Sequence, residues 1–85
     1  MASYKVLYWQ EVPSQIKAED DETDVTVQMP ERFQDRIDRL AAERGLGGSD
    51  DYLAQWRWSE DDDRDGSAQA VAEALRDELE DQAGF

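Results

Sequence analysis

The sequence predicts an α+β domain: a small, mostly antiparallel sheet of about four strands with two main helices packed on one face. Three observations carry this. The N-terminal third alternates apolar and polar residues with a period of two. Two later segments carry apolar residues at helical spacing. A Trp-Arg-Trp triplet lies between those helices.

Tyr4–Glu11 reads as the first strand. Tyr4, Val6 and Tyr8 share one face, while Leu7 and Trp9 share the other. Apolar groups on both faces are the mark of a central strand. Pro13 is expected to end it. Gln15–Ala18 and Thr23–Met29 read as two more strands, and Val25, Val27 and Met29 give the second its half-buried alternation. Glu19-Asp20-Asp21-Glu22 between them reads as a solvated hairpin turn. Pro30–Arg44 is the clearest helix, with Phe33, Ile37, Leu40 and Ala41 as its apolar stripe and Gly45 as its stop. Ser49 is placed to cap a short turn over Asp50–Ala54. Gln55–Glu60 reads as the fourth strand, with Trp56 and Trp58 on one face and expected in the core. Asp61–Gly66 reads as a loop. Ser67 caps the last helix, Ala68–Gln82, whose stripe is Ala68, Val71, Ala72, Leu75 and Leu79. Gly84 and Phe85 read as a glycine-terminated end with a trailing apolar contact. No linker divides the chain, so residues 1–85 are expected to form one domain.

Charge limits the function. The chain holds 22 Asp and Glu against 9 Lys and Arg, a net charge of −13 over 85 residues, with no His and no Cys. Without His, the Ser hydroxyls have no usual base, and without His or Cys there is no common zinc set. The expectation is a non-enzymatic protein needing no cofactor. So acidic a surface repels nucleic acid and anionic lipid. No apolar run spans a membrane and no disulfide framework exists, which together predict a cytoplasmic protein. Lys occurs only at positions 5 and 17. An acid-rich, Lys-poor surface points to salt adaptation, because concentrated salt screens carboxylate repulsion.

The charge is uneven. Residues 30–44 balance four acids with four arginines, and Arg32, Arg36 and Arg39 form a ridge beside the apolar stripe. That ridge, with Trp9 and Arg57, is the predicted surface for an unidentified protein partner. Oligomeric state is not legible. A second reading is a calcium loop, since Asp61-x-Asp63-x-Asp65-Gly66 matches the first half of that motif. The bidentate acid is misplaced, however: Ala72 stands where it belongs, and Glu73 is one residue off. Gly45-x-Gly47-Gly48 follows a helix and lacks a lysine, so it reads as a helix stop and not a phosphate loop.

Tyr4-x-Val6-Leu7-Tyr8-Trp9 with Pro13, then Pro30-Glu31-Arg32-Phe33-Gln34, then Tyr52-Leu53 and Trp56-Arg57-Trp58-Ser59-Glu60, resemble the bacterial "virulence factor" domain family. The resemblance covers roughly residues 4–80. It implies a short soluble domain, alone or within a larger protein, with no established catalytic activity and no agreed ligand.

Overall fold

Strand β1 runs over Ala2–Trp9 and is the centre of one antiparallel sheet. The computed structural model describes residues 1–84, so the Phe85 contact expected from the sequence lies outside the described residues. On one side β1 pairs with β2 (Val12–Glu19), which pairs in turn with β3 (Asp24–Gln28). On its other side β1 meets two short strands. Strand β4 (Trp56–Trp58) takes Leu7–Trp9, and β5 (Asp62–Arg64) takes Ala2–Tyr4. Between them the Ser59 amide donates to the Val6 carbonyl at 2.8 Å, and the Val6 amide donates to Ser59 Oγ at 2.8 Å. The serine closes the gap where neither short strand reaches.

Two expectations change here. Residues 61–66 read as a loop, yet 62–64 are a strand, because the main chain of Ala2–Tyr4 would otherwise expose an unpaired edge. Pro13 does not end β1; it lies inside β2, beside a bulge opposite Leu7 and Tyr8 and beyond the last β3 partner, Gln15. Proline is tolerated there because no third strand needs its amide. The β1–β2 turn is made by Gln10 and Glu11, with Gln10 at φ 52°, a left-handed conformation that a non-glycine residue adopts at some cost.

Helix α1 spans Glu31–Glu43 and buries Phe33, Ile37, Leu40 and Ala41, the stripe its sequence predicts. Its end is a Schellman motif. The Gly45 amide donates to the Ala42 carbonyl at 3.3 Å, the Leu46 amide to the Ala41 carbonyl at 2.7 Å, and Gly45 takes φ 69°. The short α2 spans Ser49–Leu53, with Gly48 and not Ser49 at the N-cap position. Helix α3 spans Ala68–Ala83; Ser67 caps it as expected, accepting from the Ala70 amide at 3.2 Å, and Gly84 ends it at φ 72°.

Helix α3 lies against β1, β2 and β3. Leu40 of α1 and Leu79 of α3 line one cleft with Tyr8 and Pro13, so both main helices serve the same sheet face. Val6, Ile16, Ala18, Phe33, Ile37, Val71 and Leu75 form the core of this layer. Alternation puts Lys5, Leu7 and Trp9 on the opposite face. There α2 folds over Trp9 and Trp56: Tyr52 lies 5.5 Å from Trp9 and 6.0 Å from Trp56, centroid to centroid, and its carbonyl accepts from Trp9 Nε1 at 3.0 Å. Among the described residues no helix covers the rest of that face.

Candidate functional site

The arginine ridge is divided. Arg32 lies over the Phe33 ring at 5.3 Å and pairs with Glu80 of α3 at 3.6 Å. Arg36 is half-buried in the cleft between α1 and α3, which has a volume of about 360 Å³. Arg39 is exposed. Arg57 places its guanidinium 5.3 Å from the Tyr8 ring and donates to the Gln10 carbonyl at 3.3 Å, on the helix-bearing face. Arg32 and Arg36 thus turn toward α3, Arg39 faces solvent, and Arg57 lies on Tyr8 of the sheet. Trp9 is corrected as a contact residue: it is 0 % exposed and its indole N–H is already spent on Tyr52. No partner reaches it without unfolding α2.

Asp61, Asp63 and Asp65 do not close around a point. Asp63 sits in an extended strand and accepts from Ser3 Oγ at 2.8 Å, while Asp62 Oδ1 accepts from the Asp63 amide at 2.8 Å. Alternate residues in a strand stand about 6.6 Å apart, whereas a calcium loop curls its ligands inward. Among the described residues no three acidic side chains converge as a metal site.

What the structure does assemble is the uncovered sheet face. Trp58 is 42 % exposed, which overturns its expected place in the core. It pairs with Leu7 across β1–β4, on the side away from α3, and only Trp9 and Trp56 further along receive cover from Tyr52. Lys5 reaches over the Trp58 ring at 4.7 Å. Its direct partner in β2 is Lys17, so the chain's only two lysines stand side by side. Among the described residues neither lysine takes part in an ion pair, whereas Arg32, Arg44, Arg64 and Arg76 each do. Gln15 and Gln28, joined at 2.7 Å, continue the row of Leu7. The sequence held a signal for this patch: Lys5 and Leu7 alternate with the core residues Val6 and Tyr8. What it lacked was knowledge of which face the helices would cover.

Three carboxyl groups are held below their ordinary values, each by hydrogen bonding. Arg44 does this to Glu11, at 2.8 Å, and Arg64 to Glu78, at 2.5 Å. Asp20 is lowered mainly by the Ala68 amide, then by those of Glu22 and Thr23, each at 2.8 Å. The hairpin turn thus reaches across to the first turn of α3 and satisfies a main-chain donor there. A carboxyl group lowered in the folded state stabilises above its unfolded value, 3.8 for Asp20, and loses that contribution as pH falls through its folded value. Asp20→Ala is expected to lower the melting temperature by a constant amount between pH 7 and pH 5. The gap should narrow below pH 3.8, where the unfolded parent takes up a proton that the folded one still resists, and close as the folded carboxyl protonates in turn. A gap that persists unchanged down to pH 3 would show that charge at Asp20 plays no part.

Among the described residues no helix is long and apolar enough to cross a membrane. Comparison with curated proteins and with solved structures gives no match. Comparison with protein families does: the family described as "Virulence factor" matches residues 7–83. The match begins inside β1 and ends with α3, covering nearly the whole sheet and every helix. Its span contains the helix and Trp-Arg-Trp segments whose resemblance the sequence displays and the Leu7-Tyr8-Trp9 end of the strand segment, and the chain belongs to the virulence factor family.

Proposed function

We propose that this is a non-enzymatic interaction domain that docks a protein partner on the helix-free face of its sheet. The observation that carries the reading is Trp58, a large apolar ring 42 % exposed beside Leu7 and two lysines that, among the described residues, form no ion pair. Trp is enriched in interface anchors and costs little conformational entropy to fix. A surface Trp surrounded by polar groups is a better anchor than the divided arginine ridge, where Arg32 already has a partner in Glu80. The lack of His and Cys supports a role without catalysis. The net charge of −13 supports a salt-adapted, cytoplasmic setting with no nucleic-acid partner.

A photo-crosslinking residue tests the face. Benzoyl-phenylalanine is placed at position 58, and as a control at Gln69, exposed on α3. In cells where the protein is native, position 58 is expected to give an adduct of discrete mass and position 69 none. No adduct from 58, or the same adducts from both positions, would overturn the reading. Trp58→Ser should leave the fold intact, costing about 1 kcal/mol or less, as surface substitutions do.

A further inference from the structure

The face has a charge order along its strands. Asp63, Ser3 and Glu19 are cross-strand partners and make an acidic row at one end. Lys5 and Lys17 make the next row, two residues further along β1. Trp58, Leu7 and Gln15 make the third. Successive same-face rows of a sheet are about 6.6 Å apart, which is also the spacing of alternate side chains in an extended peptide.

The middle row is energetically odd. Like charges directly opposite on a sheet destabilise it. Here two lysines are cross-strand partners in a chain with 22 acids; Lys5 turns its ammonium over the Trp58 ring, and among the described residues no acid pairs with either lysine. A small hollow of about 110 Å³ lies between the first two rows, lined by Ser3, Lys5, Lys17, Glu19 and Asp61. It has room for a carboxylate and presents both lysines to it.

Resting on the docking reading above, we propose that the occupant is an extended segment of a partner protein patterned basic, acidic and apolar at every second residue. The basic residue faces Glu19 and Asp63. The carboxylate enters the hollow and bridges Lys17 and Lys5, drawing the Lys5 ammonium off the Trp58 ring. The apolar side chain rests on Trp58 and Leu7. A run of phosphates does not fit, because its second charge would meet the acidic row. A purely acidic peptide fails for the same reason, and a purely basic one would meet the lysines.

Two peptides of identical composition test the order: acetyl-Gly-Arg-Ser-Glu-Ser-Phe-Gly-amide and its charge-reversed isomer, acetyl-Gly-Glu-Ser-Arg-Ser-Phe-Gly-amide. Each is titrated into the ¹⁵N-labelled full chain. The first is expected to give saturable shifts at Lys5, Leu7, Lys17 and the Trp58 indole, and to bind about tenfold more tightly than the second. The double variant Lys17→Glu/Glu19→Lys leaves Lys5 and Asp63 in place, so each row then holds both signs, and it should abolish that preference. Equal binding of the two isomers, a preference that survives the double variant, or no saturable shift up to about 5 mM peptide would each overturn the proposal. An adduct at position 58 alongside failed peptides would leave the docking face standing and remove only its charge pattern.

Discussion

Replacing Trp9 by Ala is expected to unfold the domain, or to cost about 3–5 kcal/mol, the usual range for truncating a buried aromatic side chain to Ala. Trp9 is fully buried and is among the largest side chains in the core. It joins β1 to α2 through the Tyr52 ring and the 3.0 Å bond to the Tyr52 carbonyl. Truncation therefore opens a cavity and removes one of the two donors to that carbonyl, leaving the Gln55 amide at 3.2 Å. A domain of this size has about 4–13 kcal/mol in total, so the loss consumes much of it. Trp9→Phe, which retains an aromatic ring but no N–H, should fall between the two. Denaturant melts followed by far-ultraviolet circular dichroism give the comparison. A Trp9→Ala protein as stable as the parent would mean that the packing of α2 over β1 is wrong.

Stability should rise with salt, continuously from about 0.1 M to about 1 M KCl and by a few kcal/mol at most, as the Debye length falls from about 10 Å to about 3 Å. The excess charge is packed into residues 19–24, 50–51, 60–65 and the α3 segment, while 30–44 is neutral. Unfolding lets those carboxylates separate, so screening favours the folded state. The opposing contribution is small. Glu11–Arg44 and Arg64–Glu78 are ion pairs between side chains 35 % to 59 % exposed, and pairs so wet contribute little for salt to remove. A melting temperature flat across that range would show that such pairs offset the repulsion, and would remove the case for salt adaptation.

Much of the fold was legible because its signals are local. The apolar stripe of α1, the glycine stop at Gly45 and the Ser67 cap depend on neighbours within a turn, and each stands where its residues place it. The same holds for the central position of β1, which apolar residues on both of its faces predict. Strand β5 was not legible. Asp62, Asp63 and Arg64 have no strand propensity, and they are extended because the open edge of Ala2–Tyr4 lies beside them. Asp20 likewise reads as one acid in a solvated turn until the Ala68 amide, 48 positions along, is brought within 2.8 Å.

The candidate surface divides along the same line. By itself the sequence determined the fold class, the family, the net charge and the alternation that sets Lys5, Leu7 and Trp9 on one side of β1 and Val6 and Tyr8 on the other. It could not say which aromatic would be covered. Trp9 and Trp58 are alike in residue type and lie on the same face. Trp9 is buried because Tyr52 of α2 lands on it, and Trp58 is exposed because no element reaches that far. Burial is a property of what packs opposite a residue, and that is decided by where distant segments dock. The pairing of Lys5 with Lys17 is a matter of register between β1 and β2, and register too exists only once the strands have met.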